Sequence, residues 1–124
     1  MQGQLEFHDS EVHRIELQAG DCRIAFSAAS VQAQGLGAGY VQSLELRCRG
    51  AWVDGPLADG LGRLVQGQVW VQGQALARLP FPYTAPGPVR LLLQFANGVR
   101  LDIRAEGLLC QFSGEPGFVE SFAC

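Results

Sequence analysis

Residues 89–105 constrain the fold more than any other part of the chain, because they encode a β-hairpin together with its register. Val89, Leu91, Leu93 and Phe95 alternate with Arg90, Leu92 and Gln94, and Val99, Leu101, Ile103 and Ala105 alternate with Arg100, Asp102 and Arg104. The two apolar faces have to meet on one side. A two-residue Asn97-Gly98 loop would set Phe95 opposite Arg100 and Leu93 opposite Asp102, burying charge. A three-residue loop, Ala96-Asn97-Gly98, pairs Phe95 with Val99, Leu93 with Leu101 and Leu91 with Ile103, with Gly98 in the left-handed position of a bulge. The pattern predicts this second register.

A second hairpin is written near the start. Residues 12–17 read as a strand, and Cys22, Ile24, Phe26 and Ala28 share one face of the next. A turn at Ala19-Gly20 pairs Leu17 with Cys22, Ile15 with Ile24 and Glu16 with Arg23, and it sets His13 opposite Phe26 on the apolar face. After the Gly-rich residues 34–39, residues 40–49 alternate as one strand, with Leu44, Leu46 and Cys48 inward and Glu45, Arg47 and Arg49 outward. Residues 51–60 are turn-rich. Residues 61–79 carry Val-Gln-Gly-Gln twice, too short a unit for a repeat architecture, and a break at Gly67 or Gly73 is expected. The run 80–88 holds four prolines, which withdraw backbone donors, and reads as a surface connection and not a central strand. Residues 108–112 form a last strand before a tail, 118–122, that suits a strand or one helical turn. The expectation is a single all-β domain over 1–124, with about eight short strands, built as an antiparallel sandwich first and a partly closed barrel second.

At 124 residues, 48% hydrophobic with 16 Gly and 6 Pro, the chain is long enough to bury one core without metal or disulfide staples. The start has neither the basic residues nor the apolar stretch of a secretory signal, so a cytoplasmic address is expected. The formal charge is −3, and the nine basic residues, all Arg, alternate with acids instead of forming a block. That argues against nucleic acid or an anionic membrane as partner. Cys22, Cys48, Cys110 and Cys124 show no metal-ligand spacing; Cys48 and Cys110 sit in the core phase, and Cys124 is the one expected to be exposed and open to artefactual dimerisation.

Chemistry has few places to reside. His8, Asp9 and His13 form the one polar cluster, with Glu11 beside them. A neutral core histidine and side-chain turns at Asp9-Ser10 are the simpler reading than a metal site, so neither a metal nor a cofactor is expected. No serine sits in a nucleophile elbow, and Gly35, Gly37 and Gly39 lack the strand-to-helix setting of a phosphate loop. An enzyme is therefore not expected. The better candidate is a binding stripe on the even-numbered face of 65–79: Gln66, Gln68, Trp70, Gln72 and Gln74, amides around an aromatic ring, with Val65, Val69 and Val71 facing the core. The competing reading covers Trp70 with Phe118 and Phe122.

Leu5-Glu-Phe-His-Asp-Ser-Glu-Val-His-Arg-Ile-Glu-Leu17, followed by Cys22-Arg-Ile-Ala-Phe26, resembles the start of a loose group of small bacterial β-rich domains. Some are uncharacterised and others are similar to immunity proteins of polymorphic toxin systems. The resemblance implies a non-enzymatic protein that binds a protein partner, such as a toxin, and no catalytic residue carries over. The modest acidity would suit a basic toxin surface. A small-ligand or carbohydrate-binding β domain is the alternative, and a homodimer is compatible with either.

Overall fold

Eleven strands and one 3₁₀ turn (Leu57–Asp59) succeed one another along residues 1–121, the part of the chain that the computed structural model describes. They are β1 (Gly3–Gln18), β2 (Asp21–Ala33), β3 (Gly37–Val41), β4 (Leu44–Arg49), β5 (Trp52–Asp54), β6 (Gly62–Val71), β7 (Gln74–Leu76), β8 (Leu79–Phe81), β9 (Tyr83–Phe95), β10 (Arg100–Phe112) and β11 (Val119–Glu120). All pairings are antiparallel. Of the two architectures the pattern allowed, the chain takes the barrel: β2, β4, β10, β9, β6 and β1 follow one another edge to edge, and β1 pairs back onto β2 to close the ring. The seam between β1 and β6 is short, with Glu11 opposite Arg63 and Val12 opposite Gly62.

The hairpin of β9 and β10 forms in the three-residue register. Leu93 opposes Leu101 and Leu91 opposes Ile103, the Phe95 N–H donates to the Val99 carbonyl at 2.9 Å, and Gly98 has φ +90°. Leu91, Leu93, Phe95, Leu101 and Ile103 are all buried. The first hairpin pairs Leu17 with Cys22, Glu16 with Arg23 and Ile15 with Ile24, as the alternation requires.

Beyond Ile15 the simple alternation fails, and one feature explains why. β1 does not begin at Val12 but runs back to Gly3, and between Glu6 and Glu11 four of its residues face a single residue of β2. Such a bulge bends the strand. It lets β1 and β2 belong to the barrel at one end and, at the other, to a layer completed by β8, β3 and β11. Asp9 takes φ +67° at the bend, and the fully buried Ser10 supplies the missing ladder bonds: its Oγ donates to the Glu6 carbonyl at 2.6 Å and accepts the Ser30 N–H at 2.8 Å. A further irregularity between Val12 and Arg14 turns His13 outward, so it is exposed and not opposite Phe26 in the core. On β2 the phase slips likewise, and Ala29 is buried in place of Ala28.

Two other expectations change, and a third holds. Residues 40–49 are two strands, β3 and β4, parted at Gln42-Ser43 where Ser43 has φ +65°, although Leu44, Leu46 and Cys48 do point inward. The proline run is not a loose connection: β9 passes through Pro86 and Pro88, and Ala85 and Pro86 pair with Leu108 and Gly107. This is tolerable because β6 has already turned at Gln72-Gly73, so that stretch of β9 has a ladder on one side only. The 61–79 region breaks at Gly73, and β7 folds back on β6.

Ile24, Leu46, Leu64, Val69, Leu93, Phe95 and Ile103 pack together as the barrel core, and the 55–61 loop closes onto it, with Leu57 packed on the core. Gly60 allows that closure, since a Cβ there would lie 2.8 Å from Leu101 Cδ1 and 3.0 Å from Ile15 Cδ1.

Candidate functional site

With the interior filled by side chains, recognition falls to the outside. On β5, β10, β9 and β6 the polar halves of the alternation line up in rows, because residues directly opposite on antiparallel strands share a face. The first row is Trp52, Arg104, Arg90 and Trp70, one residue from each strand in register. At a strand spacing of about 4.8 Å the two tryptophans stand roughly 14 Å apart, with two arginines between them. The second row is Asp54, Asp102, Leu92 and Gln68, and the third is Arg100, Gln94 and Gln66.

Electrostatics distinguish these positions. Two of the facing pairs, Arg90 with Arg104 and Asp54 with Asp102, set like charges directly opposite, which is unfavourable by itself. Arg90 relieves part of this by a two-pronged bond to Asp102, Nε to Oδ1 at 3.2 Å and Nη2 to Oδ2 at 2.9 Å. The hydrogen bonds from Arg90 hold the Asp102 carboxyl below its usual range. The same guanidinium lies over the Trp70 ring, its carbon 5.4 Å from the centroid. Trp70, with Arg90 over it, is half-buried, whereas Trp52 is 60% exposed. Arg100, Arg104 and Asp54 are exposed and form no ion pair among the described residues.

Below the first row the face dips into a cleft of ≈ 360 Å³ between β6, β9 and β10, walled on one side by Asp54 and Gly55. Gly55 lies flat on β10: a Cβ there would fall 2.5 Å from the Arg100 carbonyl oxygen.

The amide stripe read from sequence is only partly assembled. Gln66, Gln68 and Trp70 share this face, but Gln72 sits in the turn with φ +52°, and Gln74 opposes Val71, which puts it on the other face from Trp70. Leu64 replaces Val65 in the core, since a bulge between Leu64 and Gln66 shifts the phase. Phe118 packs on Gly39 of β3, away from Trp70, and Phe122 lies outside the described residues. The polar cluster near the start is divided: His8 Nδ1 lies 3.3 Å from Asp9 Oδ2 and Arg63 Nη1 donates to Asp9 Oδ1 at 3.4 Å, all exposed, while His13 joins neither. Among the described residues no group of three His, Cys, Asp or Glu is placed to hold a metal ion.

Cys22, Cys48 and Cys110 are free and buried. Burial pushes the Cys22 thiol up to about 11 and those of Cys48 and Cys110 up to about 12, which makes them poor nucleophiles. Cys124 lies outside the described residues.

Sequence reasoning missed Trp52, Asp54 and the arginines of β10. One signal was available: Leu92 is an apolar residue in the outward phase of an otherwise polar face, and the hairpin register already sets it opposite Asp102. No family model matches this chain, and neither a curated protein nor a solved structure does. No helix among the described residues is long and apolar enough to cross a membrane.

Proposed function

We infer that this chain is a non-enzymatic binding protein, acting in the cytoplasm, that presents the outer face of β5, β10, β9 and β6 to a protein partner. The row Trp52, Arg104, Arg90, Trp70 carries this reading. Tryptophan and arginine are the residues that most often dominate binding energy at protein interfaces. The sheet fixes their backbone positions, and Arg90, held between Trp70 and Asp102, has little side-chain entropy left to lose on association.

The sign of the three rows changes the expected partner, from the basic surface that a chain of net −3 would suit to an acidic one. Within those rows the arginines, 90, 100 and 104, exceed the aspartates, 54 and 102. The partner that fits offers an acidic side chain to Arg104 and an apolar pocket to Trp52. A toxin with such a surface, neutralised by occlusion in the manner of an immunity protein, is the specific form proposed.

Co-expression with the product of a neighbouring toxin gene tests it. Wild type should restore growth and co-purify with the toxin, and Trp52→Ala with Arg104→Glu should do neither while unfolding at the same urea concentration. Equal protection by both proteins would move the contact elsewhere.

A further inference from the structure

We propose that the cleft beneath the tryptophan–arginine row is a binding site for a neutral saccharide unit. The proposal rests on the reading of this face as the recognition surface, but on residues other than Trp52 and Arg104.

Three observations carry it. First, the charges of the lining cancel: Arg90 and Arg100 stand against Asp54 and Asp102. A net-neutral site does not select an ion, yet it is far from apolar. Second, the polar groups are planar forks. Gln66, Gln68 and Gln94 line the cleft from β6 and β9, each offering an amide donor pair beside a carbonyl acceptor. Vicinal hydroxyls, each a donor and an acceptor, are the ligand groups that such forks satisfy in pairs. Third, the site is pre-formed. Arg90 and Asp102 are fixed by their two-pronged bond, Gly55 brings the far wall flat onto β10, and the half-buried Leu92 supplies an apolar floor for the C–H face of a sugar ring. At ≈ 360 Å³ the cleft falls in the lower range of small-ligand sites.

The lining contrasts with the other large groove, formed by Gln4, Gln32, Pro80 and Pro82. That groove has glutamines but no charged residue in its lining, which makes it the internal control.

A two-dimensional NMR titration of the full chain with glucose, galactose, mannose and N-acetylglucosamine, and with glucuronate and glucosamine as charged comparators, each to about 50 mM, tests the site in the millimolar range appropriate to an open cleft. At least one sugar should give saturable shifts confined to the side-chain amides of Gln66, Gln68 and Gln94 and the backbone of Leu92 and Asp102. Gln68→Ala and Asp54→Ala should each weaken that sugar at least tenfold, and Gln32→Ala should not. Trp52→Ala should leave the titration unchanged, so loss of toxin protection and loss of sugar binding are separable failures. No shift at these residues with any of the four sugars, shifts confined to the Gln32 groove, or binding only of glucuronate or glucosamine would each overturn the proposal.

Discussion

Arg90 lies across the Trp70 ring, its guanidinium carbon 5.4 Å from the ring centroid, a contact between neighbouring strands on an indole that is half-buried. Part of the ring is thus covered by a charged group that water can displace.

That relationship predicts a spectroscopic signature. With Trp52 changed to Phe, Trp70 should emit at an intermediate wavelength and be partly quenched by acrylamide. Arg90→Gln should raise the quenching constant toward that of a free indole and leave the fold intact. Trp70→Ala should cost well below the roughly 3–5 kcal/mol of truncating a core tryptophan. Quenching indifferent to Arg90→Gln would mean that the guanidinium does not shield the ring.

The Arg90–Asp102 pair gives a pH dependence whose sign is fixed. The folded carboxyl titrates below its unfolded counterpart. The pair's contribution is therefore fully present above the ordinary carboxylate value of about 4 and is lost as pH falls through the depressed folded value. Both partners are partly exposed, so the contribution is small and salt-sensitive. Urea midpoints of wild type and Asp102→Asn should differ at pH 7 and draw together as pH falls below the ordinary carboxylate value of about 4; a gap that widens in acid would contradict the pairing.

Ser10 is a structural keystone with a testable cost. Ser10→Ala removes both the acceptor for the Ser30 N–H and the donor to the Glu6 carbonyl in a fully buried site. Leaving buried backbone groups unpaired costs about 1–3 kcal/mol. Equilibrium denaturation should show that loss, and hydrogen exchange should quicken at Ser30 before it does at Leu93 or Ile103. A stability change near zero would remove the serine from this role.

The three core thiols should be silent at neutral pH. In a Cys124→Ser background, a thiol reagent at pH 8 should label Cys22, Cys48 and Cys110 only at the rate of opening of the fold. Their folded values, about 11 to 12, exceed the ordinary value of 9.0. The stability they contribute is thus present below about pH 9 and lost as pH rises toward the folded values. The difference in melting temperature between wild type and Cys48→Ala should accordingly shrink from pH 8 to pH 11.

The sequence by itself determined the two hairpins, because a period of two with one buried face leaves a single register for Leu91 against Ile103 and for Ile15 against Ile24. It also determined the inward phase of Cys48 and Cys110 and narrowed the break in 61–79 to Gly67 or Gly73, which follow from alternation and local turn chemistry. Where a bulge adds residues to one strand, alternation carries no warning, and so Ser10, His13, Ala29 and Leu64 took up places that counting by twos did not assign. Whether Pro86 can lie in a strand depends on which side of β9 is paired, and that is set by where β6 ends. The candidate site is the clearest case. Arg90, Leu92 and Gln94 were legible as one outward face, but Trp52 and Trp70 come to flank it only through β5 on β10 and β6 on β9. Those pairings join segments distant in the chain, whose proximity is decided by closing the barrel around a shared core, and no local pattern encodes it.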